Sequence, residues 1–163
     1  MQSKFIKSRE DFLKSLHKKH TASGAFLFNE KGQVLIIKQS YRDYWSIPGG
    51  ISDQYESPFE TLIREVKEET NLSIQIKKLA IVDYQIKQSQ DFSHDNIQFI
   101  FTATCNDLST LKVDKEEILE ARFLDVKEAK KYLKQNISFY LDTILEGKNT
   151  TVLMENSKKI DNK

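Results

Sequence analysis

One segment in the first half of the chain combines its backbone-breaking residues with a dense group of carboxylates. Both prolines, Pro48 and Pro58, lie in it together with the adjacent pair Gly49 and Gly50, although the 163 residues contain only five glycines and two prolines. Residues 64–69 follow with the sequence REVKEE. Carboxylates placed this close together repel one another, and a bound divalent cation is the usual reason for a chain to tolerate them. We therefore expect a turn followed by an acidic, metal-binding helix.

The sequence also marks where this helix begins. Ser57 is a favourable N-cap, Pro58 suits the first helical position, and Glu60 completes a capping box with Ser57. At about 100° per residue one apolar stripe faces the core and a neighbouring face carries the carboxylates. The stripe consists of Phe59, Leu62, Ile63 and Val66, and the acidic face of Glu65, Glu68 and Glu69.

An alternative is that the three glutamates form an ordinary solvated helix face. Like charges three or four positions apart each cost a few tenths of a kcal/mol, and the helix dipole disfavours anions near the C-terminus. A bound cation reverses both penalties. Carboxylate oxygens without a nearby His or Cys suit Mg²⁺ or Mn²⁺ better than zinc. The sequence favours a metal site.

The spacing of the segment is specific enough to indicate a family. Gly50 is followed after five residues by Glu56 and after seven more by residues 64–69, and the helix ends near Asn71. With the stretch WSIPGG at 45–50, this pattern resembles the Nudix box, the metal-binding loop–helix–loop of enzymes that hydrolyse nucleoside diphosphates linked to another moiety. The resemblance covers residues 21–129 and implies an α/β fold, an α/β/α sandwich with a central mixed β-sheet.

The resemblance also implies an activity and roles for individual residues. The activity is hydrolysis of a pyrophosphate bond in a nucleoside diphosphate derivative or related nucleotide, dependent on Mg²⁺ or Mn²⁺. Arg64 would orient a box glutamate, Glu56, although an ordinary helical pair with Glu68 is also compatible with the spacing. The metal ligands would be Glu65, Glu68, Glu69, the carbonyl of Gly49 and a distal glutamate, Glu117 in preference to Glu120. Glu65 and Glu68, with Arg64, are the candidate catalytic residues.

The box departs from the usual family pattern at Asn71, where glycine is common. Glycine there relieves a left-handed backbone at the helix end, and asparagine is the next best tolerated residue in that conformation. We expect little effect on activity.

Three residues outside the box are candidates for substrate binding. Lys38, at the end of a predicted strand, would contact a substrate phosphate, and Arg42 and Tyr44 would contact a base or ribose together with Tyr41. A solvated strand end and simple aromatic packing are the alternatives. Substrate selectivity is expected from loops such as residues 85–96, which no spacing rule decodes.

The bulk properties limit the other possibilities. We expect one domain over residues 1–147, including an N-terminal helix at 8–20, and a loosely ordered polar tail at 148–163. The formal net charge is +1, there is one cysteine, and no apolar stretch could span a bilayer, so we expect a cytoplasmic protein with a small-molecule partner and no membrane or DNA partner. A homodimer is compatible with the resemblance.

Two other functions stay open. One is a non-catalytic nucleotide-binding or regulatory module of the same fold, and the other is a pyrophosphohydrolase acting on RNA 5′ ends. Every candidate carboxylate is present, which argues against the first. The low net charge argues against a long RNA footprint, but not against recognition of the terminal phosphates alone.

Overall fold

The fold is built around one mixed β-sheet. The computed structural model describes residues 8–86, 95–105, 107–147 and 149–160, so most of the loop at 85–96 lies outside the described residues. Within these ranges the elements, in chain order, are α1 Arg9–Ser15, β1 His20–Phe28, β2 Val34–Gln39, β3 Trp45–Ser46, β4 Gly49–Ile51, α2 Pro58–Thr70, β5 Gln75–Gln85, β6 Asn96–Thr104, a 3₁₀ turn Leu108–Thr110, β7 Ile118–Leu124, α3 Val126–Ala129, α4 Gln135–Leu145, β8 Val152–Glu155 and β9 Lys158–Lys159.

The sheet runs in the order β3-β2-β1-β6-β5-β8-β9. β1 lies parallel to β6 and β5 lies parallel to β8, whereas the pairs β1–β2, β5–β6 and β8–β9 are antiparallel. β4 pairs with β1 and β7 pairs with β2, both antiparallel. The glycine turn is therefore joined directly to the centre of the sheet through β4.

Alternating side chains fill two separate cores. In β1, Ala25 and Leu27 pack against Leu62 and Val66 of α2 on one face, and Phe26 packs on the other face with residues of α3 and α4. Successive side chains of a strand point to opposite faces, so a fully apolar strand requires cover on both sides. The predicted α/β/α sandwich with a central mixed sheet is confirmed.

The predicted end of the N-terminal helix was wrong. The N-terminal helix ends at Ser15 rather than residue 20, because His20 already pairs with Asn96 in the sheet and α1 has no buried residue to extend its packing. The segment after α2 forms one long strand, β5, with two register irregularities. β7 begins at Ile118, where its pairing with β2 starts.

The expectation of a loosely ordered tail is also wrong for residues 149–160. β8 adds to the sheet beside β5, and Met154 is buried with 1% exposure. The segment is polar because its other side chains face solvent, so its composition gave no indication that it pairs with β5. No helix in the described part of the chain is long and apolar enough to cross a bilayer.

Candidate active site

The acidic helix α2 forms with both of its predicted end structures. The Ser57 side chain accepts from the Glu60 amide, and the Glu60 carboxylate accepts from the Ser57 amide, which completes the capping box. At the other end Asn71 has φ 58° and ψ 9°, the left-handed conformation expected there, and its side chain donates to the Thr110 carbonyl at 3.0 Å. Both termini of the helix are thus fixed to its surroundings.

Arg64 contacts three carboxylates of the acidic segment. Its Nε and Nη2 donate to the two oxygens of Glu56 at 2.8 and 2.9 Å, and Nη1 donates to Glu65 at 2.7 Å and to Glu68 at 3.1 Å. The predicted contact with Glu56 and the alternative helical pair with Glu68 therefore coexist. Arg64, with backbone and hydroxyl donors from Asp53 and Thr61, lowers the pKa of Glu56 to about 2.

Glu65 lies against the glycine turn. Burial raises its pKa, and the charges of Glu68 and Glu117 act in the same direction, while the contact with Arg64 opposes them. A Cβ added at Gly50 would lie 2.4 Å from the Glu65 carboxyl carbon. Only glycine at position 50 leaves room for this carboxylate in its place.

Glu69 is the buried member of the group, with 3% exposure. Its Oε2 accepts from the Gly49 amide at 2.8 Å and its Oε1 accepts from Gln39 Nε2 at 3.1 Å. Burial raises the pKa of Glu69 to about 7 in the metal-free structure, against the effect of these two donors. Gly49 itself has φ 142° and a Cβ there would lie 2.1 Å from the Ser23 carbonyl oxygen, so this position also requires glycine.

The distal glutamates differ in their surroundings. Glu117 is exposed, and its charge raises the pKa values of both Glu65 and Glu69, which places it on the same side of the molecule as the box. Glu120 instead forms an ion pair with Arg122 at 2.5 Å. Among the described residues the Glu117 carboxylate forms no ion pair, so the structure offers Glu117, rather than Glu120, as the distal carboxylate towards the box.

The donor set of this site fits a hard divalent ion. The charge of Glu117 raises the pKa values of Glu65 and Glu69, and the charge of Glu65 also raises that of Glu69, so added positive charge would stabilise the ionised forms of Glu65 and Glu69. The Oε1 atom of Gln39 is buried beside Glu69 with no hydrogen-bond partner among the described residues. Within those residues, no three Asp, Glu, His or Cys side chains are already arranged as a closed metal site, because Arg64 holds the carboxylates of Glu65 and Glu68.

A cavity of 460 Å³ opens beside the box, on the opposite face of the sheet from α2. It forms because Ala22 and Gly24 of β1 present almost no side chain there, and Ile137 and Tyr140 of α4 close the far wall. Gly49 and Gly50 also line it. The two glycines that contact Glu69 and Glu65 are therefore shared by the cavity and the carboxylate group.

The cavity has a cationic and aromatic mouth. Arg42 and Lys134 line it together with Tyr44, and Lys134 Nζ lies 3.4 Å from the Tyr44 ring centroid while Arg42 lies 5.7 Å from it. None of the described residues that line the cavity is an aspartate or glutamate. This surface suits an anionic ligand.

The substrate-binding candidates separate into two groups. Arg42 and Tyr44 line the cavity as the sequence interpretation requires, whereas Lys38 is paired in the sheet with Trp45 and Glu120 and is not among the lining residues. Gln39 and Lys134 were not predicted as site residues. Gln39 gave a weak signal as a polar residue continuing an apolar strand, and Lys134 gave none, because only tertiary packing brings α4 to Tyr44.

Known proteins share this sequence pattern and architecture. A family model described as the NUDIX domain matches residues 18–142. The chain therefore belongs to the Nudix family, as the box predicted. Members of this family generally use divalent metal ions.

Individual relatives are distant. The chain is 30% identical over 109 residues to the nucleoside diphosphate-linked moiety X motif 6 protein of Xenopus laevis, covering 65% of this chain and 49% of that one. It is 33% identical over 109 residues to an 8-oxo-dGDP phosphatase of Danio rerio, covering 64% of this chain and 31% of that one. The chain thus spans less than half the length of each. The crystal structure of a NUDIX hydrolase from Nitrosomonas europaea superimposes with a TM-score of 0.69 at 22% identity, over 86% of this chain and 80% of that one.

Proposed function

We propose that this chain is a divalent-metal-dependent hydrolase that cleaves a pyrophosphate bond in a nucleoside diphosphate linked to another moiety, or in a related nucleotide. The observation that carries the proposal is the shared position of Gly49 and Gly50. They line the cavity and also contact Glu69 and Glu65. A ligand in the cavity would therefore place its phosphates next to the carboxylate group.

The residues proposed to hold Mg²⁺ or Mn²⁺ are carboxylates and one backbone carbonyl, all oxygen donors. They are Glu65, Glu68, Glu69, Glu117 and the carbonyl of Gly49. A divalent ion there supplies positive charge against the anionic pyrophosphate and acidifies adjacent water. The helix α2 holds its glutamates rigidly, because the capping box and the left-handed Asn71 fix its two ends, and this supports the assignment.

The chain's own residues would then perform three tasks. Arg64 holds Glu56, Glu65 and Glu68 in a fixed arrangement through four hydrogen bonds. Glu65 or Glu68 takes a proton from the attacking water, because Glu65 is only partly buried and Glu68 is exposed, whereas Glu69 is buried. Glu69, bonded to Gly49 and Gln39, fixes the glycine turn against the helix.

The cavity would bind the nucleotide portion. Arg42 and Lys134 provide positive charge at its mouth, and Tyr44 provides an aromatic surface. A relative named as an 8-oxo-dGDP phosphatase supports a small nucleotide substrate, without selecting one. Lys38 stays a weaker candidate for a phosphate contact.

The alternatives can be ranked against this site. A non-catalytic binding module would not need Arg64 to bring Glu65 and Glu68 together. An enzyme acting on RNA 5′ ends would use the same chemistry, and the cavity's modest number of cations supports a small substrate over a long RNA chain. A homodimer stays a prediction, which light scattering coupled to size-exclusion chromatography would test.

The test is turnover on a panel of nucleoside diphosphate sugars, dinucleoside polyphosphates, nucleoside triphosphates and triphosphorylated RNA. Each compound is incubated with Mg²⁺ and separately with Mn²⁺, and a coupled phosphatase or pyrophosphatase converts the products to measurable phosphate. The Glu69→Gln variant is the control. Metal-dependent turnover of one class, lost in the variant, supports the proposal. Absence of turnover by folded protein across the panel contradicts it.

A further inference from the structure

The C-terminal hairpin β8–β9 lies beyond the family match, which ends at residue 142, yet it contacts a wall of the cavity. Its turn is formed by Asn156 and Ser157, both in the left-handed conformation with φ values of 50° and 61°. Asn156 bonds the end of β5 from both sides, accepting from the Ile86 amide and donating to the Tyr84 carbonyl, each at 3.0 Å. The hairpin is thus fastened at the point where β5 reaches the cavity.

A fully buried carboxylate connects the hairpin to that wall. Asp83 has 0% exposure, and its two oxygens accept from the Ser157 amide at 3.2 and 3.0 Å. Its Oδ2 also accepts a short hydrogen bond from the Tyr140 hydroxyl, which lies in α4. Burial and Asp83 raise the pKa of Tyr140, so this phenol keeps its proton and donates it to Asp83. One carboxylate thereby joins β5, α4 and the hairpin.

This network fixes the orientation of Gln85, which lines the cavity. Gln85 Nε2 donates to Asp83 Oδ2 at 3.3 Å and to the Tyr140 hydroxyl oxygen at 3.1 Å. The Asp83 carboxylate oxygen can only accept a hydrogen bond. The Tyr140 hydroxyl already donates its hydrogen to Asp83, so towards Gln85 it can also only accept. Both neighbours therefore require the NH₂ group of the Gln85 amide to face them. Both amide hydrogens are then used. The group that Gln85 has left for a ligand is its carbonyl oxygen, an acceptor.

A second acceptor lies directly across the sheet. Asn96 is the register partner of Gln85 in the β5–β6 pair and also lines the cavity. Its Oδ1 is buried without a hydrogen-bond partner among the described residues. A buried polar atom left without a partner costs free energy that a ligand donor would recover. Gln85 and Asn96 therefore present two hydrogen-bond acceptors at this end of the cavity, and a ligand with donor groups would satisfy them.

From this arrangement we infer that Gln85 is a specificity-determining residue that accepts a hydrogen bond from the exocyclic amino group of a purine base, and that the C-terminal hairpin positions it through Asp83. A flat base is favoured over a sugar because Ile47, Ile100 and Ile137 also line the cavity and suit the apolar faces of a ring. The inference rests on the proposed function, in which the cavity holds the nucleotide.

The test pairs a change in the protein with a change in the ligand. Binding of GMP against IMP, and of AMP against purine riboside 5′-monophosphate, is measured by isothermal titration calorimetry in EDTA, so that no turnover is required. Each pair differs only in the exocyclic amino group. In the wild-type protein, loss of the amino group from the nucleotide that binds more tightly is expected to weaken binding about ten-fold.

The Gln85→Met variant should bind both members of that pair within about two-fold of each other, because it cannot recognise the amino group. Gln75→Met, at the exposed far end of the same strand, is the matched control and should keep the ten-fold difference. Asp83→Asn places an amide that can donate as well as accept beside Gln85, so the orientation of the Gln85 amide is no longer fixed. This variant should reduce the ten-fold difference. Ser157→Ala keeps the backbone donor to Asp83 and loses only the hydroxyl contacts with Asp83 Oδ2 and the Tyr140 hydroxyl at 3.2 and 3.1 Å, so it should preserve most of the difference.

The ratio within each ligand pair separates positioning from general damage, since a loosened fold weakens both ligands alike. Circular dichroism melting of each variant confirms folding. The inference is overturned if removing the amino group has no effect on the wild-type protein, if Gln85→Met retains the full difference, or if glucose 1-phosphate binds in place of every nucleotide. None of these results depends on turnover in the substrate panel, which judges the proposed hydrolase activity separately.

Discussion

The Gly49 amide donates a 2.8 Å hydrogen bond to Oε2 of Glu69, joining the glycine turn to the last part of the acidic helix. Glu69 is 20 residues further along the chain and is buried, so this contact fixes the turn and the helix relative to each other. The other oxygen of Glu69 is held by Gln39 from β2. Three elements thus meet at one carboxylate before any metal binds.

The first prediction concerns the stability of the metal-free protein as a function of pH. Burial raises the pKa of Glu69 from 4.5 to about 7, so the folded state binds a proton more tightly than the unfolded state. Stability from this group is complete below about pH 4.5 and is lost as pH rises towards 7, by at most about 3 kcal/mol. Thermal unfolding in EDTA between pH 5 and 8 measures it.

Glu69→Gln removes this ionisation and keeps an acceptor for the Gly49 amide. The variant should therefore melt at a higher temperature than the wild-type protein at pH 8 in EDTA, although it is expected to be inactive. Addition of Mn²⁺ should raise the wild-type melting temperature more than that of the variant. A variant less stable than the wild type at pH 8 would contradict the assigned burial cost.

A second prediction concerns the fork geometry of Arg64. Arg64→Lys keeps the positive charge but loses the paired contact with Glu56 and the simultaneous contacts with Glu65 and Glu68. We expect kcat/KM to fall about ten- to a hundred-fold with little change in melting temperature. Lys67→Arg, on the same helix but bonded to the Asn71 carbonyl, is the matched control and should retain activity. Equal activity of the two variants would show that charge alone suffices.

A third prediction follows from the space at Gly50. The Cβ of Gly50→Ala would lie 2.4 Å from the Glu65 carboxyl carbon and must displace that carboxylate. Mn²⁺ affinity, followed by electron paramagnetic resonance of free Mn²⁺, should fall. The Cβ of Gly24→Ala would lie 3.2 Å from the Ile47 side chain and 3.4 Å from the Pro48 carbonyl oxygen, away from the carboxylates, so this variant should leave Mn²⁺ affinity unchanged. Undiminished Mn²⁺ binding by Gly50→Ala would remove Glu65 from the metal site.

A fourth prediction tests the departure from the family pattern at Asn71. Asn71→Gly should change the free energy of unfolding little, because glycine adopts the left-handed backbone freely while the bond to the Thr110 carbonyl is lost. Asn71→Ala should destabilise the protein by about 1 kcal/mol or more, because alanine is strained at φ 58° and also loses that bond. Urea unfolding measures both. A neutral Asn71→Ala would mean that the helix end rearranges.

The box and its helix were predictable because their signals are local. The capping residues Ser57 and Glu60 and the asparagine at the helix end each act over a few positions, and the structure has all of them. The predicted apolar stripe was wrong in part, because Leu62 and Val66 are buried but Phe59 and Ile63 are exposed. The contact between Arg64 and Glu56 was accessible only through the family resemblance, since it spans the loop before the helix.

The remaining features depend on contacts between distant parts of the chain. The cavity exists because small residues of β1 lie under α4, and Lys134 reaches Tyr44 across 90 positions of sequence. The C-terminal hairpin was predicted as a loose tail because its pairing with β5 and its bonds to Asp83 have no local signature. Propensity and composition carry no information about such long-range pairing.

The most direct test of the central claim is ³¹P nuclear magnetic resonance of a nucleoside diphosphate derivative from the panel during incubation with the protein. The wild-type protein with Mg²⁺ or Mn²⁺ should convert the pyrophosphate resonances into two phosphomonoester resonances, and EDTA or the folded Glu69→Gln variant should leave the pyrophosphate resonances unchanged. Conversion at the wild-type rate in EDTA or by Glu69→Gln would contradict the assignment of the acidic helix as the catalytic metal site.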